Sequence, residues 1–139
     1  MAAIQHSGSV EGILWKLKVA FQRQAVHLAN IPTHMLKNLF AAIPVDPSCE
    51  AFDDLLNVPG LRIERIVSHG QKSPPGFWYE QDEDEWVIVL QGSATLRVEG
   101  RDTLIHLELG DHYWIPAGLR HRVDSTAPDG PTIWLAVHR

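Results

Sequence analysis

At 139 residues the chain is long enough for one domain with a real core and too short for two comfortable ones. Its 45% hydrophobic and 21% charged content is ordinary for a soluble globular protein, and a formal charge of −5 argues against a dedicated nucleic-acid binder, which neutralises phosphates with clustered Lys and Arg. Cys49 is the single cysteine, so an internal disulfide is excluded; it reads as a small buried hydrophobe, and a reducing, cytoplasmic setting is expected.

From the N-terminus, Ile13, Leu14, Leu17, Ala20 and Phe21 recur at helical spacing behind Ser7 and Ser9, either of which can cap, so a helix is expected from about Val10 to Ala29. Ile31-Pro32 ends it. Residues up to Pro44 carry +3 and those from Val45 onward −8, which divides the chain into a helical extension over residues 1–44 and a main domain over 45–139. A basic amphipathic helix can pack on its own domain, join a second subunit or lie on a membrane. Packing or subunit contact is the expectation, and no apolar run approaches the roughly 18 residues of a membrane span.

Leu36 to Val58 reads as short helical or turn-rich chain, with Asp53-Asp54-Leu55-Leu56 as a turn. Then the period becomes two. Leu61 to Val67 alternates as a half-buried strand, and Trp86 to Gln91 is a strongly β-prone run closed by the turn at Gly92-Ser93. Thr95 to Glu99 and Thr103 to Glu108 flank Gly100-Arg101-Asp102 as a hairpin. His112 to Pro116, His121 to Asp124 and Thr132 to His138 supply the last strands, with Ala127 to Pro131 as a surface turn. Short strands joined by Gly and Pro turns indicate an all-β closed or double-sheet architecture.

Two stretches carry a more specific pattern. Glu85 is followed by six residues and Gly92; Gly110 is followed by five residues, Pro116, one residue, Gly118, two residues and His121. The spacing resembles the two motifs of the cupin superfamily, over roughly Leu61 to His138. The second motif is matched at each fixed position but its last, where Ser125 stands for Asn. The first keeps its Glu and closing Gly as Glu85 and Gly92, while its His-x-His pair falls on Tyr79 and Gln81. The resemblance implies a double-stranded β-helix, the jelly-roll barrel, and a homodimer; the N-terminal helical extension lies outside the part it covers.

It also implies a site. Cupins with intact motifs bring three His and one Glu to one metal inside the barrel, and the corresponding positions here are Tyr79, Gln81, Glu85 and His121. A one-residue shift of register would put Glu80 in place of Gln81 and give two carboxylates with one His, a better divalent site. The cofactor expected is thus a divalent metal, Mn, Fe, Ni or Zn, with Tyr79 as candidate proton donor if the protein is an enzyme. Trp78, Tyr113 and Trp114 are candidate walls of a pocket for a small organic ligand. The competing reading is a metal-free binding or regulatory module, favoured by loss of the His-x-His pair, in which Tyr79, Gln81 and His121 hydrogen-bond a ligand and no bond is broken; the plainest reading keeps His121 for packing and pairs Glu85 with an Arg inside the barrel. Asp82, Glu83 and Asp84 read as a solvated turn, and His69, His106, His112 and His138 as structural or exposed. No Gly-rich phosphate loop, nucleophile elbow, His-Glu-x-x-His or paired-Cys zinc pattern is present.

Overall fold

The computed structural model of the protein describes Leu14 and residues 37–139. Apart from Leu14, the helix expected over Val10 to Ala29 lies outside the described residues. From residue 37 onward the chain contributes strands and turns: β1 (Ala51–Val58), β2 (Leu61–Ser68), β3 (Glu85–Gln91), β4 (Ala94–Val98), β5 (Ile105–Leu107), β6 (His112–Ile115), β7 (His121–Thr126) and β8 (Thr132–His138). They form a five-stranded sheet in the order β1-β2-β8-β3-β6 and a three-stranded sheet in the order β5-β4-β7, with each pairing antiparallel. The expected all-β architecture is therefore present.

Strand alternation builds the space between the sheets. Side chains two apart share a face, so Val87 and Val89 of β3, Trp134 and Ala136 of β8, and Ile115 of β6 meet Ala94 and Leu96 of β4 and Leu107 of β5 in one buried cluster. Continuing the same alternation places Glu85 and His138 on this inner face too. One crosswise row of the large sheet reads Ile115, Glu85, His138, Arg62. The apolar core thus gives way to ionisable side chains at one end of the barrel.

β1 corrects the reading of Asp53 to Leu56 as a turn. Asp53 stands opposite Arg65 in the β1–β2 register, and its Oδ2 accepts from Arg65 Nη2 at 2.6 Å and Nε at 2.9 Å. This two-pronged, charge-assisted contact outweighs the weak strand propensity of aspartate. The Arg65 Nη1 also donates to the carbonyls of Leu39 and Ala41, which ties the start of the described chain to the sheet. Cys49, expected to be buried, is half-buried beside this segment's entry into β1.

The β3–β4 turn depends on Gly92. It has φ +75°, and an added Cβ would lie 2.9 Å from the Pro131 carbonyl oxygen and 3.0 Å from the Thr132 Cα. Backbone cannot yield as a flexible side chain does. Gly92→Ala is expected to destabilise the protein by about 1–3 kcal/mol, combining left-handed strain with the clash, as read from the midpoint of urea unfolding.

Candidate functional site

The second motif owes its spacing to a turn. Pro116, Ala117, Gly118 and Leu119 close a four-residue turn in which Leu119 N–H donates to the Pro116 carbonyl at 3.1 Å, and Gly118 takes φ +77°, the left-handed value a type II turn needs at its third residue. Two residues later His121 opens β7, 4% exposed. The Gly118 N–H donates to the Gln81 carbonyl at 2.7 Å, and Tyr79 and His121 exchange backbone hydrogen bonds at 2.7 and 3.1 Å. The first motif's segment is thereby stitched alongside the second.

This pairing decides which side chains turn inward. Tyr79 and Gln81 share the His121 side. Gln81 donates through its amide to Glu85 Oε2, and the Tyr79 ring lies nearly parallel to His121, with centroids 5.4 Å apart at 21°. Phe77, 4% exposed, meets Tyr79 edge-on at 4.8 Å. Glu80 points away: it is exposed and pairs with Arg120 at 3.8 Å. The register that would bring Glu80 inward in place of Gln81 is not the one adopted.

At the centre of the site, His121 Nε2 lies 3.5 Å from Glu85 Oε2, both side chains buried. His121 Nδ1 is 3.1 Å from the Leu119 carbonyl, which can only accept, so Nδ1 carries a proton. The other ring nitrogen, Nε2, then faces the carboxylate oxygen. A proton on Nε2 joins such a pair by a charge-assisted contact. Burial pushes the Glu85 carboxyl up, but its contact with His121, the charges of His138 and His121, and the Gln81 amide together hold it below its ordinary value.

These residues do not fit the four-ligand metal centre that the fold family implies. Of the four positions, Tyr79 brings a phenol on a ring stacked against His121 and Gln81 a neutral amide whose nitrogen donates to Glu85, both weaker ligand types than the imidazoles they stand for. That leaves one carboxylate and one imidazole, where a catalytic zinc-type site uses three protein ligands. Among the described residues no three His, Cys, Asp or Glu side chains converge as a metal cluster. What the pair does form is a buried contact between a carboxylate and an imidazole.

The expected pocket walls separate. Tyr113 packs against the apolar core, whereas its neighbour Trp114 faces outward, 57% exposed, opposite Trp86. Trp78 lies with Arg120 over its ring at 5.5 Å. The aromatic contact at the site comes instead from Phe77 and Tyr79. Asp82 and Glu83 are exposed as expected, and Asp84 caps the Ala117 N–H at 2.9 Å.

Of the other histidines, His106 and His112 are exposed and His69 bonds the Pro44 carbonyl. His138 differs. It is 1% exposed and its Nε2 is 2.9 Å from Glu64 Oε1, with Glu64 fully buried and Arg62 Nη1 3.1 Å from the other carboxylate oxygen. The buried Arg62–Glu64–His138 group beside Glu85 has no counterpart in the motif spacing. Its trace in the sequence is the alternation that puts Arg62 and Glu64 in line with Ile66, and His138 in line with Trp134 and Ala136.

The comparisons agree with this architecture. No curated protein is similar enough to the chain to count as a relative. A structure from Ralstonia eutropha JMP134, named a putative mannose-6-phosphate isomerase, is 50% identical with a TM-score of 0.72, covering 77% of this chain and 97% of its own. A cupin superfamily protein from Desulfitobacterium hafniense DCB-2 is 20% identical with a TM-score of 0.61, covering 78% and 94%. A conserved protein of unknown function from Streptococcus pyogenes is 18% identical at the same TM-score, covering 79% and 90%; these two likenesses speak to the fold alone. Among the described residues no helix is long and apolar enough to cross a membrane. With the cupin domain model matching residues 64–138, over half of the chain, and two antiparallel sheets enclosing the paired Glu85 and His121, the protein belongs to the cupin family.

Proposed function

We propose that the protein binds a small organic molecule at the Glu85–His121 end of its barrel and exchanges a proton with it through that pair, without a resident metal. The observation that carries this reading is the 3.5 Å approach of His121 Nε2 to Glu85 Oε2, with Nδ1 tied to the Leu119 carbonyl. The arrangement is that of two acid–base groups, a carboxylate and an imidazole, poised together: one fixed donor at the back of the ring, and one exchangeable proton at the front. Tyr79, stacked on His121, holds the ring plane and brings a phenol to the same end of the site as a second proton donor. Proton transfer next to a carbonyl, as in interconversion of hydroxy-carbonyl compounds, is the reaction class closest to the name borne by the Ralstonia relative.

A second reading is a loosely held divalent cation. Two donor atoms 3.5 Å apart have a separation suited to neighbouring ligands of one ion. The two readings part on ligand response after chelation. Thermal melts of EDTA-treated protein against a panel of small hydroxy-aldehydes and hydroxy-ketones should reveal a stabilising compound, and Glu85→Gln should abolish its effect. At a concentration a hundredfold above Kd the shift corresponds to about 2.7 kcal/mol. Stabilisation that appears only when metal is restored would reject the metal-free reading.

A further inference from the structure

Alternation gives the five-stranded sheet a second face, turned away from the barrel interior. Followed from strand to strand, one crosswise row of that face reads Leu56, Ile63, Val137, Trp86 and Trp114, apolar from one edge strand to the other. Beside it runs Asp53, Arg65, Leu135, Ile88 and His112. Leu56 and Trp114 are exposed, and Ile63, Val137 and Trp86 are half-buried. Toward the other end of the face, Arg65 donates to the Leu39 and Ala41 carbonyls, and Val67 and Ile133 are buried. The chain thus covers one end of its outer face and leaves the apolar row open.

Size and charge narrow what can cover it. Five strands about 4.8 Å apart, rising about 3.3 Å per residue, make a face about 20 Å wide and about 23 Å long. That flat footprint, on the order of 450 Å², is in the range where an apolar patch marks an interaction site. With its side chains standing out it comes to the scale of a stable interface, about 800 Å² per partner. Within the two rows the formal charges are Asp53 and Arg65, which neutralise each other at 2.6 Å. Residues 45–139 carry −8, so two copies of the chain repel across most of their surface and are spared that repulsion here. Leu14, the described residue of the preceding segment, is 59% exposed and so is not seated on the row.

We propose that this outer face is the surface on which two copies of the chain associate, sheet against sheet. The row is self-complementary, as a two-fold interface requires. An axis parallel to the central strand β8 turns one copy so that its Trp86 and Trp114 lie over Ile63 and Leu56 of the other. Large rings meeting branched aliphatic side chains supply the apolar contact, with Trp86 braced by its Nε1 donating to His112 Nδ1 at 3.2 Å. Sheets stacked in this way sit about 10 Å apart, a gap that such side chains fill.

Sedimentation equilibrium of the full-length protein from about 1 to about 100 μM tests this. The wild type is expected at twice the 15.6 kDa chain mass. Trp114→Glu and Leu56→Glu, at opposite edges of the row, should each raise the dissociation constant by about a hundredfold or more. Both side chains are exposed, so the variants should keep the wild-type fold, which circular dichroism checks. Thr103→Glu adds the same charge at an exposed position between β4 and β5 and should leave association unchanged. A wild type that stays monomeric at about 100 μM would overturn the proposal. A dimer that withstands both row variants would place the interface elsewhere and overturn it equally. Dissociation by Thr103→Glu as strong as by Trp114→Glu would assign the effect to net charge and overturn the role of the row.

Discussion

Glu64→Ala is expected to cost about 3–5 kcal/mol of folding stability, the largest effect of any polar substitution in the barrel, because it strands two buried partners at once. Glu64 is fully buried and accepts from His138 at 2.9 Å while lying 3.1 Å from the Arg62 guanidinium. Without it, Arg62 keeps only its contact with the exposed Glu83 at 3.3 Å, and His138 loses the contact that fixes its ring. Urea unfolding with an unchanged m-value measures the loss. Two controls separate pairing from packing. Arg97→Ala removes an ion pair whose members are 42% and 26% exposed and should cost under about 1 kcal/mol. Replacing Arg62, Glu64 and His138 together by Met, Leu and Leu should recover part of the single-variant loss, since matched apolar groups carry no unpaired charge. A Glu64→Ala protein as stable as wild type would show that the group is solvated and has no structural weight.

His121→Ala should remove the ligand response and lower stability by about 3 kcal/mol at neutral pH, with a pH dependence that identifies the cause. In the wild type Glu85 is held below its ordinary value of 4.5. Its contribution is therefore complete above pH 4.5 and is lost as the pH falls through the lowered value. Removing His121 removes the main influence opposing burial, and the Glu85 carboxyl then moves up. The variant is penalised at neutral pH, where Glu85 must be charged without its partner, and is relieved on acidification. The stability difference should thus be greatest near pH 7 and narrow toward roughly pH 4, as followed by urea denaturation across that range. A difference that is flat with pH would mean that His121 acts by packing alone.

The parts of this site that were legible in the sequence are those with local geometry behind them. Pro116, Gly118 and His121 are spaced by a type II turn, a constraint carried by three nearby residues. Glu85 was legible through the motif the chain resembles, its strand being expected only from Trp86; the structure starts that strand at Glu85, on one face with Val87 and Val89. Tyr113 and Trp114 show the same rule from the other side: adjacent residues of a strand face opposite ways, so both cannot line one pocket. The Arg62–Glu64–His138 group was not legible. β2 alternates clearly, but its inner set is Arg62, Glu64, Ile66 and Ser68, and its outer set Leu61, Ile63, Arg65 and Val67, the reverse of an apolar-inside reading. Buried charge is tolerated only with a partner, and here that partner lies 74 residues away on the last strand. Asp53-Asp54 misled for the same reason: Arg65, which turns a turn-like pair into strand, is distant in sequence and adjacent in the sheet.

The central claim is that Glu85 and His121 share a proton and do not hold a resident metal. The most direct measurement is elemental analysis of protein purified without added metal, beside thermal melts with Mn(II), Fe(II), Ni(II) and Zn(II) for wild type and His121→Ala. The account predicts metal well below one equivalent and no melting shift that depends on His121. Near-stoichiometric metal, with stabilisation approaching about 2.7 kcal/mol at a hundredfold excess over Kd and lost in His121→Ala, would contradict it.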